Sequence, residues 1–318
     1  MKKSKVLVGA LLLLLVLLLV GIFVYAHYNN QYPRFESDED TTVAIYPLED
    51  GNLVIAPGVR MKLDTGTLVS TITQDDLQKL AKIGMQVDSV SFPSIATDLS
   101  GKVYVANVQY KVTLPVYQMK LVSDSLGNRY RSTNRIINVI TEAYFLPAAP
   151  GDDSRIGSDI VERFVLEYQA NNNAVALRTT VPEGYQYFCD LKAPFSIITF
   201  IGTGNRYYMA AEVQNEPNDF FIDTGLADID IKLPSSDKSK VNATLTESVI
   251  RTSRGTFPAL KAENVWVKMG NHIGTHSALY GDDGGKDYTL NPFAYFEHNM
   301  VFDFPHRKVY QHPNDGQE

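Results

Sequence analysis

The tripeptide Asp-Thr-Gly occurs twice, in MKLDTG at residues 61–66 and in FFIDTG at residues 220–225, with the two aspartates 159 positions apart. A single copy reads as a tight turn, in which Asp bonds its own downstream backbone and Gly takes a positive φ. Two copies, each behind a hydrophobic run, ask for another reason. Two carboxyl groups within hydrogen-bond reach cannot both ionise cheaply, so they share one proton and titrate as a pair. The ionised member can take a proton from a bound water while the protonated member hydrogen-bonds a carbonyl group. Such a site requires no metal, no cofactor and no covalent intermediate. The expected pair is Asp64 and Asp223.

Other residues with chemical potential read more plainly. His272 and His276 in NHIGTH stand four apart, but Asn271, Gly274 and the missing Glu-x-x-His context favour an exposed loop over a zinc site. GDDGG at 281–285 reads as an acidic turn rather than a calcium loop, and Cys189, the one cysteine, reads as a buried spectator. The formal net charge of −7 and the absence of a Lys/Arg cluster beyond the first five residues argue against a nucleic-acid partner.

The elements that must position the two aspartates begin after an apolar leader. Residues 6–26, VLVGALLLLLVLLLVGIFVYA, would span about 30 Å as a helix, one hydrocarbon core. Lys2, Lys3 and Lys5 precede the stretch and ESDED at 36–40 follows it, which puts the rest of the chain across the membrane. Residues 1–27 are therefore expected to be an anchor, with a cleaved signal segment as the rival, and 28–42 a polar linker. From about residue 43 the period is two: KVYVANVQYKVTL (102–114), ENVWVKM (263–269) and NMVFDF (299–304) suit half-buried strands. Helical patterning is confined to TQDDLQKLAKIG (73–84), with Thr73 as N-cap and Gly84 as stop, and to a short piece around DIVERF (159–164). The expectation is an all-β protein.

The order of features also repeats. Asp64 is followed by Gly101 and an alternating run, and Asp223 by Gly255 and another. Each half closes with an apolar segment and a strand, in RIGSDIVERFVLEYQANNNAVAL (155–177) and YTLNPFAYFEHNMVFDFPHRKVY (288–310). Internal duplication explains this order, with lobes at 43–182 and 183–318.

Two Asp-Thr-Gly loops, one per half, resemble those of the aspartic proteases, and each half is similar to a retropepsin-like unit; RIGSDIVERFVLEY resembles the closing motif of such a unit. The resemblance covers roughly residues 45–311. It implies a bilobal all-β acid-protease fold with one catalytic Asp from each lobe, an extended polypeptide as substrate, and a single chain sufficient for one site. Thr65 and Thr224 would lock the loops together, while Gly66 and Gly225 let backbone amides approach the carboxylates. Gly101 and Gly255 mark candidate flaps, or plain hairpin turns. The family often carries a hydroxyl residue after the Gly; Thr67 fits, whereas the second copy has Leu226. Asn291 stands where a Gly is expected in the second closing segment, which puts the packing under that loop in question. These departures keep open a non-catalytic peptide-binding or envelope-sensing module on the same fold.

Overall fold

The computed structural model describes residues 12–21, 42–97, 103–124, 127–194, 204–226, 229–240, 244–252, 255–281 and 287–313. Most of them are in strands. The first half runs β1 (Thr42–Glu49), β2 (Asn52–Ala56), β3 (Val59–Leu63), β4 (Thr71–Ile72), α1 (Gln74–Lys82), β5 (Val87–Thr97), β6 (Val103–Asp124), β7 (Gly127–Pro147), β8 (Arg155–Ile156), α2 (Ser158–Val161), β9 (Val165–Gln169) and β10 (Ala174–Arg178). The second runs β11 (Gln186–Lys192), β12 (Tyr208–Val213), β13 (Glu216–Ile222), β14 (Ile231–Pro234), a 3-10 turn (Ser235–Lys240), β15 (Leu245–Thr252), β16 (Gly255–Met269), β17 (His272–Gly281), β18 (Tyr288–Leu290), α3 (Pro292–Tyr295), β19 (Met300–Asp303) and β20 (Lys308–Gln311).

Strands β1–β10 recur in order as β11–β20, and the pairings recur with them. β3 lies parallel to β8, as β13 does to β18. β4 lies parallel to β7 and antiparallel to β8, as β14 does to β17 and β18. Antiparallel hairpins β2–β3 and β5–β6–β7 match β12–β13 and β15–β16–β17. The halves join through one antiparallel sheet in the order β1-β10-β9-β19-β20-β11, with Leu166 opposite Phe302 and Glu167 opposite Val301 at its centre. Residues at the centre of this sheet are buried on both faces; all of MVFD in β19 is buried, Asp303 included, so the strand expected to be half-buried is fully buried.

Local chemistry accounts for the helices. Thr73 caps α1, its hydroxyl accepting from the Asp76 amide at 3.2 Å, and Gly84 ends it at φ +85°. The helix expected near 159–164 is one turn, Ser158–Val161. Of the apolar leader only 12–21 are described; they are helical with exposed leucines, and the rest of segments 1–27 and 28–42, apart from Thr42 in β1, lies outside the described residues. Among the described residues no helix is long and apolar enough to cross a membrane.

Candidate active site

Both Asp-Thr-Gly loops leave a strand that is clamped by a parallel neighbour. The Asp64 amide donates to the Ile156 carbonyl at 3.0 Å, and the Asp223 amide donates to the Leu290 carbonyl at 2.9 Å. Each loop then closes on itself, Thr67 N–H to Asp64 O at 3.0 Å and Leu226 N–H to Asp223 O at 3.2 Å. Because the supporting strands are related between halves, the two loops meet head to head.

The threonines hold them there. The Thr65 hydroxyl donates to the Ile222 carbonyl at 3.0 Å and accepts from the Thr224 amide at 3.1 Å. The Thr224 hydroxyl donates to the Leu63 carbonyl at 2.9 Å and accepts from the Thr65 amide at 3.1 Å. Four bonds thus cross between the halves, and Thr65 is only 2% exposed. A hydroxyl is needed at each place because one atom must both donate and accept.

The glycines let the carboxylates approach. A Cβ on Gly66 would stand 2.5 Å from the Asp223 Cγ, and one on Gly225 would stand 2.5 Å from the Asp64 Cγ. Each carboxylate therefore lies over the glycine of the opposite loop. The Asp223 carboxylate also accepts from the Gly225 amide at 2.9 Å. Burial first, and then the charge of Asp64, push the Asp223 carboxyl up to about 7; a hydrogen bond with Asp64 adds to the rise, while the Gly225 amide and the charge of Lys62 oppose it. This is the behaviour of two carboxyl groups competing for one proton.

Three further supports brace the first loop. Ser70 and Asp159 fasten the first loop to α2: the Asp159 carboxylate accepts from the Ser70 amide and from its hydroxyl at 2.6 Å, and the Gly157 amide donates to that hydroxyl at 2.8 Å. Burial pushes the Asp159 carboxyl up to about 6, against those bonds. The segment at Gly204 crosses from the second half, its amide donating to the Leu68 carbonyl at 2.8 Å. Arg155, on β8, reaches Asp64 Oδ2 with Nη1 at 3.4 Å. The pattern Arg-Ile-Gly carried the signal for Arg155, since parallel pairing of β8 with β3 sets that position beside the first loop.

Asn291 resolves the departure in the second half. Its side chain donates to the Leu226 carbonyl at 2.6 Å and caps α3 by accepting from the Phe293 amide at 3.0 Å. In the first half the Ser158 amide bonds the equivalent Thr67 carbonyl at 2.9 Å, so an amide side chain takes the place of a backbone N–H. Of the flap candidates, Gly255 opens β16 opposite Thr252 at the end of the β15–β16 hairpin. Gly101 lies outside the described residues, beyond the Thr97–Val103 pair that ends the described β5–β6 register.

The histidines are not in an exposed loop. His272 and His276 lie on β17 on one face, because strand residues four apart point the same way. His276 stacks on Tyr295 with ring centroids 4.0 Å apart, and His272 packs edge-on to Phe296. Burial pushes the His276 imidazole down to about 4. Among the described residues no group of three His, Cys, Asp or Glu could hold a metal ion. Residues 282–285 of GDDGG lie outside the described residues.

No protein-family model matches the chain, and no curated protein matches it in sequence. Among solved structures it is similar to basic 7S globulin from soybean, at 9% identity and a TM-score of 0.46, over 86% of this chain and 96% of that one. It is also similar to a retropepsin-like aspartic protease from Rickettsia conorii, at 20% identity and a TM-score of 0.23, over 33% of this chain and 78% of that one.

Proposed function

We propose that the chain is an aspartic endopeptidase, anchored by its N-terminal apolar segment with the folded part outside the cytoplasm. The observation that carries this reading is the reciprocal threonine lock, which sets each carboxylate over the opposite glycine. One carboxylate of the pair takes a proton from a bound water. The water oxygen attacks the scissile carbonyl carbon while the protonated carboxyl gives its proton to the carbonyl oxygen. The resulting gem-diol collapses: one of its hydroxyls returns a proton to the carboxylate that protonated the carbonyl, the C–N bond breaks, and the amine leaves with the proton taken from water, which restores the singly protonated pair. A substrate would lie extended across the loops, beneath the β15–β16 hairpin and its first-half counterpart β5–β6.

A non-catalytic peptide-binding module is the second reading, favoured by Leu226, which has no hydroxyl to orient the Asp223 carboxylate. Cleavage of an unfolded polypeptide by the full-length chain separates the two. The peptidase reading expects pepstatin-sensitive cleavage that Asp64→Asn and Asp223→Asn each abolish. Peptide binding without cleavage, unchanged by either substitution, would leave the binding module.

A further inference from the structure

The duplication that builds the site is broken in charge. Lys62 on β3 stands opposite Arg155 on β8, whereas the equivalent pair in the second half is Phe221 on β13 and Thr289 on β18. The first aspartate thus has two cations on the strands that clamp it, and the second has an aromatic ring and a hydroxyl. Arg155 is also enclosed: its side chain is 11% exposed, its Nη1 approaches Asp64 Oδ2, and its buried Nε has no hydrogen-bond partner. A buried guanidinium is tolerated where an anion faces it. Here that anion is one member of a pair that shares a proton.

We infer that Arg155 fixes the polarity of the pair, holding Asp64 as the member that stays ionised and leaving the shared proton on Asp223. This rests on the reading of Asp64 and Asp223 as the reacting pair. It deepens that reading by giving the two aspartates different tasks. Asp64 is the group that takes the proton from water, and Asp223 is the group that protonates the scissile carbonyl. Arg155 acts through Asp64, as a positioning residue rather than a catalytic one.

In the second half the buried Lys232 on β14 stands opposite Thr289 on β18. Arg155 faces Asp64 from β8. Lys62 faces the pair from β3 and draws Asp223 toward its ionised form, the opposite sense. Arg155 prevails because its Nη1 forms a largely buried ion pair with Asp64 Oδ2 at 3.4 Å, while Lys62 makes no direct contact with Asp223 and acts on it only through space. The high position of the Asp223 carboxyl agrees with that balance. The lower of the pair's two titration steps should lie lower with the guanidinium in place than without it, since an opposite charge at this range shifts such a step by about one pH unit or more.

The test is an NMR titration of the full-length chain with 13C-labelled aspartate carboxyls, assigned with Asp64→Asn and Asp223→Asn. Between the two steps, the wild-type spectrum is expected to show the protonated signal on Asp223 and the ionised signal on Asp64. Arg155→Gln should raise the lower step by about one pH unit, and Arg155→Lys should raise it less. The acidic limb of any cleavage profile should move with it. A proton on Asp64 in the wild type, or a lower step that Arg155→Gln leaves in place, would overturn the inference. The wild-type spectrum decides the matter even if Arg155→Gln does not fold. A chain that shows this polarity yet cleaves nothing would keep the inference and lose the peptidase reading.

Discussion

Replacing Thr65 by valine keeps the shape of the side chain and removes only its hydroxyl. Two bonds go with it, the donation to the Ile222 carbonyl and the acceptance from the Thr224 amide. Thr65 is 2% exposed, so water does not replace the lost partner without movement of the loops. An unsatisfied buried backbone group costs about 1–3 kcal/mol, and two are left here, one a carbonyl and one an amide. Partial relaxation brings the expected loss to about 2–4 kcal/mol. Thr224→Val removes two other bonds of the same unit, but Thr224 is partly exposed, so water can satisfy some of what it leaves and the loss should be smaller. Once either hydroxyl is gone the loops separate and the remaining pair of bonds slackens. The double variant should therefore lose less than the two single losses together, by about 0.5–3 kcal/mol. Urea denaturation of the full-length chain and the three variants measures all of this. Thr65→Val within about 0.5 kcal/mol of wild type, or strict additivity, would refute the argument that these hydroxyls clasp the halves together.

Three further outcomes follow from the same geometry. Gly225→Ala would set a Cβ 2.5 Å from the Asp64 Cγ, well inside ordinary contact, so the carboxylate must move by about 1 Å. Cleavage should fall by about 10²-fold with a stability loss of about 1–3 kcal/mol, measured by initial rates and by melting. Asp223→Asn tests the proton directly. A free carboxyl ionises near 4 and that of Asp223 is pushed up to about 7, so folded-state stability from its proton is present below about pH 4 and lost as the pH rises toward 7. The melting temperature of Asp223→Asn minus that of wild type should therefore grow between pH 4 and 7. Asp159, raised to about 6, titrates alike in both proteins and drops out of the difference. A difference that stays flat across this range would contradict the shift. Asn291→Ala removes the cap on α3 and the bond to Leu226, for a stability loss of about 1–2 kcal/mol in denaturation. Asn291→Asp keeps the cap but sets a buried carboxylate oxygen against the Leu226 carbonyl, and should lose at least as much stability as Asn291→Ala, alongside a lower cleavage rate.

What could be read from the sequence was what depends on period and on short motifs. Alternation marked β6 and β16 as strands, β-branched and aromatic content marked β19, and the Thr73 and Gly84 signals bracketed α1. The two tripeptides marked the residues that meet, because the loop needs Asp, Thr and Gly in that order for local reasons of bonding and space. The missed features depend on contacts between distant segments. Asn291 looked like a defect when compared with a glycine. Its side chain replaces a backbone bond that only three-dimensional superposition of the halves makes visible. Arg155 was passed over because its significance lies in the parallel pairing of β8 with β3, which alternation does not encode. His272 and His276 were misread because the glycine and asparagine around them resemble a loop, yet both histidines sit on a strand against the aromatic packing of α3.

The central claim is that one chain assembles one site from two unlike halves, and calorimetric titration of the full-length protein with a statine-containing peptide tests it most directly. The account predicts one peptide bound per chain, with binding lost when either Asp64 or Asp223 alone becomes Asn. Binding that survives either substitution, or one peptide shared between two chains, would contradict it.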